Sequence, residues 1–311
     1  MRDVRARILA DSEMKYPTMR IPPGGPDGVT VIVTTYNWPA ALACCLRSLW
    51  RQTRLPDEIV IADDGSGPPT CDLIRHLESR SPVPLRHIWH PDEGYRPGAI
   101  RNRAVAAAVQ PYLLFTDHDM LLHPRMIEDH LRFAESGHFS QGKRAHLGKR
   151  ASRRILASGK LARSPLPWEI RERHQYAVRM PFLSRLYPLS RPVLAGVISA
   201  NLGAWRDDVV RVNGFNEDFR GWGGHDTDLV ARLLNAGVRR RDLRFTAVAY
   251  HLHHKRRSPS DSSPNARYLE QTVRDRRTWC ENGLSKYLTG VDIPRRIPPE
   301  SDRTRATRAQ S

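Results

Sequence analysis

The chain has 311 residues and a mass of 35.5 kDa, enough for one large domain or two ordinary ones. With 40% hydrophobic and 27% charged residues it can bury a core, which excludes a wholly disordered chain. No apolar run approaches the ~20 residues of a membrane-spanning helix, and the first twenty residues hold too short an apolar stretch for a secretory signal. The four cysteines form no recognisable framework and predict ordinary thiols of a reducing cytosol.

Charge is the outstanding figure, because 50 basic against 33 acidic side chains give a net charge of +17. Such an excess is typical of proteins with polyanionic partners such as nucleic acid, anionic lipid or phosphorylated glycan. Residues 29–137 carry 11 basic and 13 acidic side chains, whereas residues 138–192 carry 13 basic and only 2 acidic ones. Most of the excess therefore lies in one central segment.

The first half of the chain alternates predicted strands with predicted helices. After an arm rich in Pro and Gly (residues 1–28), β-branched and apolar runs predict strands over 29–34, 59–62, 85–89 and 112–116. The segments between them have helical spacing, with Asn37 as the N-cap of the first helix, and a further helix lies between Pro124 and Gly137. Strands that read as near-continuous apolar runs indicate an open, mostly parallel α/β sheet flanked by helices, so residues 29–137 form a nucleotide-binding half.

The rest of the sequence divides into three segments. Residues 138–192 are basic and rich in Pro without a clean period, and read as an insertion. Residues 193–292 regain order, with an apolar stretch over 193–198 and a helix over 226–235. Residues 293–311 are polar and basic, and predict a disordered tail.

Polar residues follow the predicted strands where each strand ends. They are Thr34-Thr-Tyr-Asn37, Asp63-Asp-Gly-Ser66 and Asp117-His-Asp119. Ligands of open α/β sheets bind beyond the carboxyl ends of the strands, and clustered carboxylates there would repel one another without a cation or hydrogen-bond donors. Two carboxylates two residues apart, at the end of a buried strand, can hold a divalent cation that also binds diphosphate oxygens. The alternative is a set of solvated acidic turns.

A second concentration of polar residues follows in Gly214-Phe-Asn-Glu-Asp-Phe-Arg-Gly-Trp-Gly-Gly-His-Asp-Thr-Asp228. The glycines allow tight turns around Trp222, and Asp226 and Asp228 fall in the first turn of the next helix, where carboxylates suit the helix dipole. For Asp226, beside the Gly-rich loop, a general base is favoured. For Asp228 a capping role and a functional role stay equally open.

The third group is His251-Leu-His-His254. A structural zinc site is excluded because no cysteine pair lies nearby in the sequence. One histidine that completes the coordination of a cation held by Asp119 fits better, and a solvated basic stretch is the alternative.

At these motifs the chain resembles the inverting family 2 glycosyltransferases of the GT-A fold. It is most similar to the bacterial subset whose C-terminal part is like that of galactosyltransferases and chondroitin-type polymerases. The resemblance covers residues 29–256. It rests on the order Val31-Ile-Val-Thr-Thr-Tyr-Asn37, Asp63-Asp-Gly-Ser66, Gly94-Tyr-Arg96, Arg101-Asn102-Arg103, Asp117-His-Asp119 and Gly221-Trp-Gly-Gly224.

The resemblance implies roles for individual residues. Asp226 would be the general base, and Asp119 with His251 would bind Mn²⁺ or Mg²⁺, with His253 or His254 as substitutes for His251. The nucleotide of the donor would contact Thr34, Tyr36, Asp64, Arg96, Arg101 and Asp117. The pocket for sugar and acceptor would be lined by Asn201, Trp222, Gly223, His225 and Asp228.

One residue departs from the pattern of the family. Where it usually has Glu-Asp after the glycines, this chain has His225-Asp226. The base is kept, while its acidic neighbour becomes an imidazole that we expect to be able to carry charge near neutral pH. The identity of the donor sugar is therefore not carried over.

The sequence thus predicts a metal-dependent inverting glycosyltransferase that moves a sugar from a UDP-sugar to a hydroxyl of a cell-surface glycan or glycolipid, as in the biosynthesis of polysaccharide or lipopolysaccharide. The expected location is the cytoplasm at the inner face of the cell membrane, with residues 138–192 facing an anionic membrane surface or a phosphorylated glycolipid acceptor. A solvated basic insertion is the equally open alternative. One alternative is a basic protein that binds nucleic acid or anionic lipid, but no nucleic-acid-binding signature is found and no nucleic acid partner is expected. The other is a sugar nucleotidyltransferase, against which the Gly-rich loop speaks.

Overall fold

The computed structural model describes residues 25–159, 165–184, 194–255 and 265–288. Most of the predicted arm and the whole of the predicted tail lie outside these residues. Among the described residues, no helix is long and apolar enough to cross a bilayer. The four cysteines are free thiols and all are buried.

The first half consists of alternating strands and helices, as the sequence predicts. Helices α1 to α3 each begin at a proline, which suits the first helical turn because its N–H would have no partner there. The elements are β1 (Val29–Thr35), α1 (Pro39–Leu49), β2 (Glu58–Asp63), α2 (Pro68–Glu78), β3 (Leu85–Trp89), α3 (Pro97–Ala107) and β4 (Tyr112–Asp117). Each of these four strands lies within two residues of its predicted bounds.

Two local predictions are wrong. The N-cap of α1 is Trp38 rather than Asn37, which adopts a positive φ and instead accepts a hydrogen bond from the backbone N–H of Gly67 at 2.9 Å. The helix expected between Pro124 and Gly137 is only the seven-residue α4 (Met126–Arg132), because the chain turns at Phe133 well before the glycine.

The second half adds strands to the same sheet and builds a smaller one. The remaining strands are β5 (Met120–Leu122), β6 (His138–Gln141), β7 (Lys143–Leu147), β8 (Ile170–Glu172), β9 (Leu202–Trp205), β10 (Arg239–Asp242) and β11 (Val248–His251). The remaining helices are α5 (Lys149–Ser158), α6 (Pro181–Ser184), α7 (Arg206–Arg211), α8 (His225–Asn235), α9 (Asn265–Arg274) and α10 (Ser285–Leu288).

In the described part of the chain the main sheet has seven strands in the order β10-β6-β9-β4-β1-β2-β3. Strands β1 to β4 are parallel to one another, and β9 is antiparallel to β4 and β6. The second sheet has the order β5-β11-β7-β8. The fold is therefore the expected α/β arrangement with a mostly parallel open sheet flanked by helices.

The basic segment 138–192 is integral to this fold. Its first strand, β6, lies between β9 and β10 in the main sheet, while β7 and β8 belong to the second sheet. The expectation of an insertion is therefore not met. The sequence did not indicate these strands because, at three to five residues each, they are too short for an alternation of apolar and polar residues to be recognised. The apolar stretch expected over 193–198 forms no strand where the structure describes it, from residue 194.

The core consists of two apolar layers on the two faces of the main sheet. Val29, Val31 and Val33 of β1 pack on one face with α1 and α2, and Ile32 packs on the other with α3 and α8. This alternation follows from the two-residue period of a strand. With both faces covered, the carboxyl edge of the sheet is where polar side chains can gather.

Candidate active site

The polar ends of β1, β2 and β4 lie side by side, as the parallel arrangement requires. In the ladder Thr34 is opposite Asp117, and Thr35 is opposite Asp63. Asp63 has a supporting role: its Oδ1 accepts the N–H of Ser66 at 2.8 Å and its Oδ2 lies 2.9 Å from Nε2 of His87.

Asp64 lies buried next to these groups and supports the loop after β3. Its Oδ1 is 2.7 Å from Nε2 of His90, and its Oδ2 accepts the backbone N–H of Arg96 at 3.0 Å. The hydroxyl of Tyr36 donates to Oδ2 of Asp92 at 2.7 Å, which ties the ends of β1 and β3 together. His90 was not foreseen, because it follows its strand as an isolated residue.

Arg101 of α3 connects the residues expected to bind the nucleotide with the expected base. Its guanidinium is almost fully buried and donates to Thr34 Oγ1 at 3.0 Å, to Asp117 Oδ1 at 3.0 Å and to Asp226 Oδ1 at 3.1 Å. Arginine presents five N–H donors in one rigid plane, so its guanidinium can hold several acceptors in a fixed arrangement. The structure therefore brings residues from three distant parts of the sequence into one site.

Asp226 lies in the first turn of α8, with its Oδ2 accepting the backbone N–H of Ser199 at 3.0 Å. Burial by itself would raise the pKa of Asp226, but His225, Arg101 and the Ser199 N–H outweigh it and hold this pKa below its ordinary value. The carboxylate is thus ionised and ready to accept a proton.

His225 lies beside the base, with its Nε2 3.3 Å from Asp226 Oδ1 and its ring against that of Tyr95. Burial lowers the pKa of His225 below its ordinary value, and this effect exceeds the opposing effect of Asp226. The expectation of a charged imidazole near neutral pH is therefore not supported, since nearly complete burial disfavours the cation.

Asp119, His251 and His254 converge at the junction of β5 with β11. Nε2 of each histidine lies 3.1 Å from Asp119 Oδ2, and the two Nε2 atoms are 3.2 Å apart. The other carboxylate oxygen, Oδ1, is buried without a hydrogen-bond partner among the described residues. Three ligand atoms of the right chemistry and an unsatisfied oxygen fit a divalent cation.

The histidines settle a choice that the sequence left open. His251 and His254 converge together, whereas His253 donates its backbone N–H to Ser152 Oγ at 2.8 Å. Asp119 holds the pKa of His254 above its ordinary value. The sequence predicted His254 only as a substitute for His251. Strand β11 ends at His251, and the three residues that follow bring the imidazole of His254 back to Asp119.

Two of the expected pocket residues are not in the pocket. Asn201 is fully buried and donates to the carbonyls of Lys143 and Ala247, both at 2.8 Å, so its side chain joins the two sheets. Asp228 is fully buried and bound by Arg232 at 2.7 Å and by Thr272 at 2.6 Å. Asp228, the fourth residue of α8, faces inward, which favours a supporting role for it over a functional one.

The Gly-rich loop presents its aromatic side chain to solvent. Trp222 is 48% exposed, and the neighbouring Gly221, Gly223 and Gly224 all have positive φ. That backbone region favours glycine, so the loop can turn sharply in front of α8. Trp222 and Gly223 thus belong to the loop that leads directly into α8 and Asp226.

The fold and the clustered carboxylates are typical of α/β proteins that bind a ligand at the carboxyl edge of their sheet. The profile of glycosyl transferase family 2 matches residues 30–189, and that of the N-terminal domain of galactosyltransferase matches residues 188–255. The chain belongs to glycosyl transferase family 2, and its C-terminal part is similar to the N-terminal domain of galactosyltransferase.

Relatives and solved structures agree with this family. Validoxylamine A glucosyltransferase of Streptomyces hygroscopicus subsp. limoneus is 30% identical over 68% of this chain and 48% of its own length. Chondroitin synthase of Escherichia coli is 25% identical over 72% of this chain and 34% of its own length. The chain thus spans about half the length, or less, of these relatives.

Two solved structures share the fold. S. aureus TarS 1–349 in complex with UDP-GlcNAc superposes with a TM-score of 0.57 at 16% identity, covering 84% of this chain and 69% of TarS 1–349. The mannosyltransferase PcManGT from Pyrobaculum calidifontis, in complex with GDP-Man and Mn²⁺, gives a TM-score of 0.53 at 16% identity and covers 93% and 72% of the two chains.

Proposed function

We propose that the protein is a metal-dependent inverting glycosyltransferase that moves a sugar from a UDP-sugar to a hydroxyl of a cell-surface glycan or glycolipid. The observation that carries the proposal is the position of Asp226, an ionised carboxylate tied through Arg101 to the polar ends of β1 and β4. The TarS complex with UDP-GlcNAc supports a UDP-sugar donor.

The donor would bind along the carboxyl edge of the sheet. Thr34, Tyr36 and Asp64 would hold the base and ribose of the nucleotide, and Asp117 would contact the ribose. Arg96 and Arg101 would approach the diphosphate, which their positive charge favours. Because Arg101 also contacts Asp226, donor binding and the position of the base would depend on the same guanidinium.

Asp119, His251 and His254 would hold the cation. Two imidazoles beside one carboxylate favour Mn²⁺ over Mg²⁺, which prefers oxygen ligands. When bound, the cation would offset the negative charge that grows on the departing nucleoside diphosphate.

The chain's own residues would carry out the transfer as one displacement. Asp226 takes the proton of the acceptor hydroxyl while that oxygen forms a bond to the anomeric carbon. The bond from this carbon to the diphosphate oxygen breaks on the opposite face, so the configuration at the carbon inverts. Trp222 and Gly223 would line the sugar and acceptor side, and the neutral imidazole of His225 would hold the carboxylate of Asp226 in place.

The direct test is a panel of nucleotide sugars with and without Mn²⁺, scored by release of the nucleoside diphosphate. We expect one UDP-sugar to be turned over, and Asp226→Asn to lower transfer by about 10²–10⁴-fold while donor binding persists. Unchanged transfer in Asp226→Asn would remove Asp226 from the role of base. Tight DNA binding with a steep salt dependence and no turnover of any nucleotide sugar would favour the nucleic-acid-binding alternative.

The cation has its own test. We expect His254→Ala and Asp119→Asn each to weaken Mn²⁺ binding at least tenfold in calorimetry, because each removes one ligand atom. His253→Ala is the matched control, since only its backbone contacts a neighbouring element. Equal Mn²⁺ affinity in wild type and in both ligand variants would place the cation elsewhere.

A cytoplasmic location at the inner face of the membrane is also part of the proposal. Two groups of side chains in the basic segment support it. One is the set of exposed cations Lys149, Arg150 and Arg153 on α5, and the other is the exposed aromatic rings of Trp168 and Phe182. Basic residues interleaved with aromatic rings are typical of contacts with anionic lipid headgroups.

A further inference from the structure

A cavity of about 380 Å³ lies between α9, the chain that follows it and the segment leading into the Gly-rich loop. Its volume falls in the range of pockets that bind small molecules. Tyr268, Gln271, Trp279 and Asn216 are among its lining residues. None of them belongs to the donor site described above.

The cavity begins about one helical turn from the Gly-rich loop. Asn265, the first residue of α9, is buried and donates from Nδ2 to the carbonyls of Arg220 at 3.1 Å and Gly223 at 2.9 Å. Tyr268 follows three residues later, a rise of about 4.5 Å along the helix. Its ring packs against Phe219, with centroids 5.6 Å apart, directly before the loop.

The chemistry of the lining suits an uncharged sugar. Tyr268 and Trp279 are 37% and 44% exposed, so both offer aromatic surface on which the apolar face of a sugar ring can stack. The side chains of Gln271 and Thr278 make no hydrogen bond within the described residues, and are available to hydroxyl groups. Asp218 and Glu281 outnumber Arg277 in the lining, which disfavours a phosphate.

We propose that this cavity is an acceptor subsite, which takes a sugar unit of a glycan acceptor at a distance from the hydroxyl that reacts. The proposal rests on the proposed function for the existence of a glycan acceptor. The subsite would give the enzyme a preference for oligosaccharide over monosaccharide acceptors, since only the longer chain reaches both Trp222 and Trp279.

A glycan array probed with the Asp226→Asn variant tests this binding without transfer. We expect oligosaccharides to bind, and the added substitution Trp279→Ala to weaken that binding at least tenfold, while Trp279→Phe keeps most of it. Val273→Ala is the control, because this exposed residue lies on α9 but outside the lining of the cavity. Equal binding by the Trp279→Ala and control variants would overturn the subsite.

Activity measurements separate this proposal from the proposed function. In an otherwise wild-type enzyme, Trp279→Ala should raise KM for an oligosaccharide found on the array at least tenfold. It should leave hydrolysis of the UDP-sugar and KM for the corresponding monosaccharide glycoside unchanged. Donor hydrolysis without any glycan binding would overturn the subsite alone, and glycan binding that depends on Trp279 without use of any nucleotide sugar would overturn the transferase alone.

Discussion

At the scale of single residues, buried hydrogen-bonding groups explain the geometry of the site. Arg101 is buried with its charge balanced by Asp117 and Asp226, and the Asp226 carboxylate is further held by a backbone N–H. A buried ion is costly unless it is paired and hydrogen-bonded, so these partners restrict one another to a single arrangement. The proposed base is therefore held in position by the protein itself.

A second buried network lies behind the site and centres on His130. Its Nε2 donates to Asn201 Oδ1 at 2.7 Å, and its Nδ1 lies 2.7 Å from the hydroxyl of Ser140, which also contacts Tyr112. Burial lowers the pKa of His130 to about 4, with Asn201 opposing that shift. The folded protein thus holds this imidazole neutral, whereas the unfolded chain protonates it near pH 6.5.

This difference predicts a loss of stability in mild acid. The contribution of His130 is complete above about pH 6.5 and is lost as the pH falls towards 4, and amounts to about 3 kcal/mol at most. Urea unfolding at a series of pH values should therefore show a smaller decrease in unfolding free energy for His130→Gln than for wild type. His76→Gln, at an exposed position on α2, is the control, and an equal decrease in all three proteins would contradict the prediction.

At the scale of elements, the first turn of α8 carries one carboxylate at the proposed active site and another that stabilises the fold. Asp226 faces the site, whereas Asp228 faces inward to Arg232 of the same helix and to Thr272 of α9. Asp228 thus connects the two helices that frame the Gly-rich loop. The two carboxylates are of the same residue type and lie two positions apart, and their surroundings alone give them different roles.

Substitution of the two residues should therefore have opposite effects. Asp228→Asn leaves the buried Arg232 without its counter-charge and should lower the unfolding free energy by about 3 kcal/mol or more. Asp226→Asn should lower stability less, because Asp117 still balances the charge of the buried Arg101, and should lower transfer by about 10²–10⁴-fold. Thermal unfolding and initial rates of both variants check this, and loss of transfer by a fully stable Asp228→Asn would assign Asp228 to the active site after all.

At the scale of the whole molecule, the basic and the acidic side chains belong to different elements. The carboxyl edge of the sheet carries the clustered acids, while α5 presents Lys149, Arg150 and Arg153 to solvent. Helix α5 is linked to the metal-binding end, because Ser152 accepts the backbone N–H of His253. A membrane held by α5 would thus lie near the site.

Vesicle flotation tests this arrangement. We expect recovery with vesicles of phosphatidylcholine and phosphatidylglycerol but not with phosphatidylcholine alone, and less recovery at high salt. Reversal of charge in Arg150→Glu with Arg153→Glu should release the protein, since each basic residue contributes about 1 kcal/mol near an anionic surface. The double variant Arg75→Glu on α2 with Arg80→Glu just after it is the control, and equal recovery with both kinds of vesicle would contradict the prediction.

The sequence by itself determined the alternating first half, its mostly parallel sheet and most of the site, because these depend on local signals. Apolar runs define β1 to β4, and the residues that follow parallel strands must meet at one edge, which already placed Thr34, Asp64 and Asp117 together.

Only the tertiary structure decided how residues distant in sequence combine. It joined Arg101 to Asp226, added His254 to Asp119 and His251, and buried Asn201 and Asp228 away from the pocket. It also placed the basic segment in both sheets. Spacing along the chain cannot show these outcomes, because the direction of a side chain depends on which element packs against it. Strands of three to five residues are too short to show a hydrophobic period in the sequence, so only their packing in the folded chain defines them.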